Sequence, residues 1–232
     1  MFEHKSLRIK WIGLTLIIGT IVSILTKRIH YVLRLRADIL NPPYPNTYNR
    51  QIVTVRSTMF LLVNLIVTCL IFAFFYYKWR KESTDKYSKI SLISSIFALI
   101  IQVVNIILFI VAELQIYYHK FPIREGIFIA LSVFTILFTL SYIFILLCLW
   151  KVIHIMTEES NLSKILGVVL LLFGLTTFLY AMEVIYLQLV ISMIGNPIIF
   201  SYLFFWGLFV DFYEILAVIT GTLMIFSLKK ER

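Results

Sequence analysis

The chain has 232 residues, of which 61% are hydrophobic and 14% are charged, and its formal net charge at pH 7 is +9. This hydrophobic fraction excludes an ordinary soluble domain, in which about half of the residues are apolar. The positive charge favours lipid headgroups over nucleic acid as a partner, because no basic stripe with interleaved aromatic residues lies outside the apolar segments.

Long uncharged stretches follow one another along the chain. The first four have 16, 21, 23 and 25 residues and lie at 11–26, 57–77, 90–112 and 126–150. A helix needs roughly 17–25 mainly apolar residues to cross a bilayer, and a helix satisfies its own backbone hydrogen bonds in lipid. The sequence therefore predicts an all-α polytopic membrane protein, a six-transmembrane-helix bundle that forms one domain over residues 1–232. The expected spans lie at about 9–27, 53–78, 89–118, 125–152, 163–193 and 199–228.

The segment between the first two spans has its own pattern. Residues at about 29–40 predict a short amphipathic helix on the outer side, and the prolines at 42, 43 and 45 end it. Its apolar residues could rest on the outer membrane interface. An ordinary connector is the alternative.

The distribution of basic residues predicts the orientation. Six spans place both termini on one side of the membrane, and thirteen of the 21 Lys and Arg residues fall on that side. The positive-inside rule therefore places the N and C termini in the cytoplasm, although the first outer loop is itself basic. Trp79 and Trp150 mark the inner boundary.

Spans two and three resemble spans four and five. Each pair has a tryptophan at the inner boundary, Trp79 or Trp150, and then a Ser-Lys-Ile triplet, at 88–90 or 163–165. Either the pairs arose by duplication, or two apolar sequences resemble each other by chance.

Three carboxylates within the last two spans are the candidate ion- or proton-binding residues. Glu183 and Asp211 are predicted at one depth, roughly 27 Å from the inner boundary at 1.5 Å per residue. Glu214 lies one turn deeper on the face of Asp211. Tyr180 and Tyr186 flank Glu183 on its helix and are candidate supporting hydroxyls.

A purely structural role for the acidic residues is the competing interpretation. Basic residues near the outer ends of the spans could pair with them and form an ion-pair network. The residues of this network would be Arg56, Glu113, Arg124, Lys27 and Arg28.

Other polar and small residues in the spans indicate helix packing. Asn64, Gln102 and Asn105 are expected to form hydrogen bonds between helices, and Gly167 and Gly174 offer a face for close packing.

Neither a catalytic motif nor a Cys/His spacing typical of zinc occurs, so no catalytic residue, metal or cofactor is predicted and an enzyme is disfavoured. We expect a membrane subunit, sensor or scaffold that acts through other membrane subunits or further copies of itself. Two alternatives remain, a small channel or cation- or proton-coupled transporter, and a membrane-embedded enzyme that modifies lipid.

Overall fold

The structure is a computed structural model, and it describes residues 2–40, 45–81, 86–119, 125–157, 160–193 and 199–228. Within these ranges, side chains are described at 7–26, 28–29, 58–81, 89–111, 114, 126–127, 129–157, 160–179 and 212–228. The described chain forms six α-helices and no strands. They are α1 (Phe2–Leu40), α2 (Pro45–Lys81), α3 (Lys86–His119), α4 (Glu125–Met156), α5 (Asn161–Met193) and α6 (Ile199–Ser227). The all-α prediction is confirmed.

Five of the helices are long and apolar enough to cross a membrane. Their apolar stretches are Leu7–Thr26, Thr58–Lys81, Lys89–Val111, Ile129–Met156 and Asn161–Leu179, and α6 has a shorter one at Phe212–Ser227. The architecture is thus compatible with a helical membrane bundle. The sixth span and the side on which the termini lie stay predictions.

The ends of the first two helices differ from the predicted ends. Helix α1 continues without a break from Phe2 to Leu40, so residues 29–40 extend the first helix instead of forming a separate one. Their place on the membrane surface stays a prediction. Helix α2 begins at Pro45 rather than near residue 53, because proline has no N–H to contribute and is well tolerated in the first turn.

The helices form a closed ring. Each helix packs against the next one along the chain, α6 returns to α1, and α2 also contacts α4 and α5 across the centre. Short connections between long helices favour this antiparallel arrangement of neighbours. Side chains from α2, α4 and α5 fill the interior, where Phe74, Phe138, Tyr142 and Phe173 are at most 1% exposed.

Glycines allow the closest contacts between helices. A Cβ atom on Gly13 would lie 2.6 Å from the carbonyl oxygen of Gly221, so the backbones of α1 and α6 touch there. On α5, a Cβ atom at Gly167 would lie 2.6 Å from the Trp150 ring, and one at Gly174 would lie 2.8 Å from Ile143. The predicted packing face of Gly167 and Gly174 is confirmed, and its partner is α4.

Candidate functional site

A small cavity lies between α1, α2 and α6. Its volume is about 10 Å³, close to the minimum that holds one water molecule. Two helices supply most of its polar groups, and α2 supplies an apolar wall. The lining residues are Thr20, Ser23, Met59, Phe60, Val63, Tyr213 and Glu214.

Glu214 brings a carboxylate into the bundle. Its side chain is 8% exposed and lines the cavity, although apolar residues such as Val63 and Ala217 are buried nearby in the same core. If α6 spans a membrane as predicted, a charged group near its middle would cost at least about 2.5–3.5 kcal/mol on insertion scales. The expectation that Glu214 faces the bundle interior is confirmed.

Thr20 supplies a hydroxyl that the helix does not use. The other two threonines of α1, Thr15 and Thr26, each donate to a carbonyl one turn earlier, at 2.8 Å. Thr20 is 2% exposed, and its Oγ1 has no hydrogen-bond partner among the described residues. Thr20 and Ser23 both line the cavity.

Tyr213 joins the cavity to the centre of the bundle. Its hydroxyl donates to Asn64 Oδ1 at 3.4 Å, and Asn64 Nδ2 in turn donates to the Phe60 carbonyl at 2.9 Å. The Tyr213 ring packs against Phe60 and Phe173, each with 5.4 Å between ring centroids. These contacts hold the ring in place, so one side of the cavity has a fixed wall.

The polar residues at the centre of the bundle join helices, as predicted. Gln102 Nε2 donates to the Leu61 carbonyl at 3.0 Å, which connects α3 to α2. Thr135 Oγ1 donates to Asn105 Oδ1 at 3.0 Å, which connects α4 to α3. Asn64 accepts from Tyr213 of α6. The interhelical role predicted for Asn64, Gln102 and Asn105 is confirmed.

A second polar cluster, at the turn between α4 and α5, connects the two helices by hydrogen bonds. Trp150 Nε1 donates to the Ser163 carbonyl at 2.8 Å, and His154 Nδ1 lies 2.8 Å from Ser163 Oγ. Ser163 Oγ donates to the Ser160 carbonyl. The Trp150 and His154 rings stack at 5.3 Å. Each of these polar groups has a protein partner, so this cluster fastens two helices together.

Most of the residues singled out in the sequence lie outside the described side chains. These are Glu183, Asp211, Tyr180, Tyr186, Arg56, Glu113, Arg124 and Lys27. The clustering of three carboxylates and the ion-pair network therefore stay predictions. Arg28 is described and is exposed. Within the described part, no three His, Cys, Asp or Glu side chains come close enough to hold a metal ion.

Sequence reasoning missed Thr20, Ser23 and Tyr213. One signal was present, since Gly13 and Thr20 are seven residues apart on α1, as are Glu214 and Gly221 on α6. Residues that are seven positions apart lie on the same face of a helix. That the two faces meet depends on the packing of the first helix against the last, and no local pattern specifies that contact.

These features define an all-α bundle whose five long apolar helices are those of a multi-pass membrane protein. Searches found no match for this chain among protein-family models, curated proteins or solved structures.

Proposed function

We propose that the chain is an integral membrane protein with six spans and both termini in the cytoplasm. It acts without catalysis, as a membrane subunit, sensor or scaffold, through partners in the plane of the bilayer. Other membrane subunits or further copies of the chain are the partners.

The filled interior of the bundle carries this proposal. Tyr142 stacks on Phe138 and packs edge-on against Phe173, and all three side chains are fully buried. Aromatic rings thus occupy the centre of the described bundle, where a substrate or a wide conduit would need space. The surfaces available for recognition are the outward faces. On α3, Ile93, Ile100 and Ile107 repeat every seven residues and are each more than half exposed.

Native mass spectrometry tests the proposal. The tagged protein is extracted from its own membranes in a mild detergent, beside a variant in which Ile93, Ile100 and Ile107 are replaced by alanine. We expect stoichiometric subunits or copies to co-purify, and the triple variant to weaken their binding if α3 is the contact face. A monomer that carries only lipid would contradict the proposal.

A second candidate, a small cation- or proton-coupled transporter, is favoured by one observation, the buried carboxylate of Glu214 beside a small cavity. Proteoliposomes test it by flux of Na⁺ and H⁺. Glu214→Gln should abolish a coupled flux, while Thr220→Val, on the same helix but outside the cavity, should leave it intact. Equal flux through both variants would dismiss this candidate.

A further inference from the structure

We propose that the surface where α1 meets α2 binds the phosphate of one anionic phospholipid, through the side chains of Arg8 and Lys81 around the ring of Tyr77. The site lies at the end of the bundle where α1 begins and α2 ends. Lipid binding here requires only the multi-pass architecture, so it is independent of the choice between a membrane subunit and a transporter.

Two cationic side chains from different helices meet at one aromatic ring. Arg8 Cζ lies 3.7 Å from the centre of the Tyr77 ring, and Lys81 Nζ lies 4.7 Å from it. Arg8 Nη1 also donates to the Ala73 carbonyl at 3.5 Å, one turn before Tyr77 on α2. Arg8 is half-buried and Lys81 is exposed. The cation–π contacts thus hold both positive groups at one place on the surface.

The two positive charges repel each other. Because 3.7 Å and 4.7 Å are measured to the same ring centre, the charges are at most about 8.4 Å apart. This is about one Debye length at physiological ionic strength, so salt screens the repulsion only partly. An anion that contacts both groups would remove it.

No carboxylate among the described side chains balances these charges. Glu214 is the one acidic residue whose side chain is described, and it lines a cavity together with Thr20. Thr20 lies twelve residues beyond Arg8, which is about 18 Å along α1.

The position of the two cations favours a lipid phosphate over a soluble one. The apolar stretches Leu7–Thr26 and Thr58–Lys81 are long enough to cross a membrane, and the cations lie at their ends. Trp11, one turn beyond Arg8, is 54% exposed, and Tyr76 is 46% exposed. Exposed Trp and Tyr are typical of the headgroup level of a membrane, where basic side chains bind anionic lipids.

Acidic residues of the chain itself are the competing anions. Glu82 follows Lys81 directly, and Asp85 comes four residues after Lys81. Their side chains lie outside the described ones. The experiment must therefore separate a carboxylate of the chain from a bound phosphate.

Native mass spectrometry of the delipidated full chain tests the site, with phosphatidylglycerol or phosphatidylcholine of the same acyl chains titrated in detergent. We expect one tightly bound phosphatidylglycerol per chain and weaker binding of phosphatidylcholine. Arg8→Gln and Lys81→Gln should each lower the affinity for phosphatidylglycerol about fivefold, the contribution of one basic residue near an anionic lipid surface. Arg80→Gln is the matched control, because it removes the same charge from an exposed neighbouring position without a contact to the Tyr77 ring.

Substitutions of Tyr77 test the role of the ring. Tyr77→Phe keeps an aromatic face beneath both cations, so the affinity for phosphatidylglycerol should stay close to that of the native chain. Tyr77→Leu removes the aromatic face, and we expect it to weaken binding. Equal affinities of the two variants would show that the ring does not position the cations.

Four further outcomes would overturn the proposal. Equal affinities for the two lipids would exclude recognition of an anionic headgroup. Equal losses in Arg8→Gln and Arg80→Gln would indicate a general effect of surface charge. Displacement of phosphatidylglycerol by an equal concentration of inorganic phosphate would identify a site for a soluble anion. A preference for phosphatidylglycerol that emerges only when Glu82→Gln and Asp85→Asn are combined would identify the chain's own carboxylates as the partners.

Discussion

The two ends of the α1–α6 contact involve the same helical faces but pack differently. At Gly13 and Gly221 the side chains are absent and the two backbones touch. Two turns away, the same faces carry Thr20 and Glu214, and a cavity separates the helices. Neighbouring helices cross at an angle and diverge from their point of closest approach, so space opens beyond the glycine contact.

One end of the α1–α6 contact packs the helices together, and the other end holds the candidate site. At the Gly13–Gly221 end, which we call the tight end, the atoms near the contact pack the two helices together. At the open end, the Thr20 hydroxyl has no hydrogen-bond partner among the described residues, and a carboxylate is buried beside a space of molecular size. The Thr20–Glu214 end of the contact is therefore the one that holds polar side chains.

The tight end should be the most sensitive to substitution. Gly13→Ala places a methyl group 2.6 Å from the Gly221 carbonyl, and backbone atoms cannot yield without moving a helix. We expect a loss of about 2–3 kcal/mol in the free energy of unfolding, measured by titration with SDS in mixed micelles. Gly126→Ala is the control, since nothing lies within 4 Å of its Cβ position. Equal effects of the two substitutions would contradict the contact.

The α4–α5 pair provides a second tight contact that should yield more easily. Gly167→Ala would bring its methyl group within 2.6 Å of the Trp150 ring, and a side chain can shift where a backbone cannot. We expect a loss of about 1–2 kcal/mol. In a Trp150→Phe background the smaller ring leaves room, so the same substitution should cost less. A double-mutant cycle measures this coupling, and strict additivity would show that the ring does not oppose the methyl group.

Several features of the fold could be predicted from the sequence. Uncharged stretches long enough to cross a bilayer predicted the helices. The proline-rich segment predicted a helix end near residue 40, although that helix was expected to be separate from the first span. The spacing of Gly167 and Gly174 predicted a packing face. All of these follow from local rules, because helix length, termination and periodicity depend on residues close together in the chain.

The cavity depends on contacts that local rules do not contain. Glu214 was singled out as a buried charge, but its expected neighbours were on α5, the next helix in sequence. The structure adds α1 and α2 as the other walls, through the return of α6 to α1. Thr20 is one of many hydroxyl residues in the spans, and it is distinguished by a missing hydrogen bond at a residue that lines the cavity. Neither the ring closure nor that missing bond can be deduced from spacing along one helix.

Hydrogen bonds between helices should have smaller effects than the glycine contacts. Thr135→Val removes the hydrogen bond to Asn105 Oδ1 and keeps the shape of the side chain. Such bonds contribute about 0.6 kcal/mol on average in membrane proteins and at most about 1.7. Thr139→Val is the control, because Thr139 donates only to the Thr135 carbonyl of its own helix. We expect Thr135→Val to lower stability more than Thr139→Val in the same SDS titration.

The smallest expected effect is a gain, not a loss, in the free energy of unfolding. Thr220 is fully buried and its Oγ1 has no hydrogen-bond partner among the described residues, so Thr220→Val removes a desolvated hydroxyl and loses no bond. Such a substitution is near neutral or stabilising, and we expect a gain of up to about 1 kcal/mol. Thr20→Val should behave in the same way, because Thr20 Oγ1 also has no hydrogen-bond partner among the described residues. Both variants are measured in the same SDS titration, and a clear loss of stability in either would contradict an unpartnered hydroxyl.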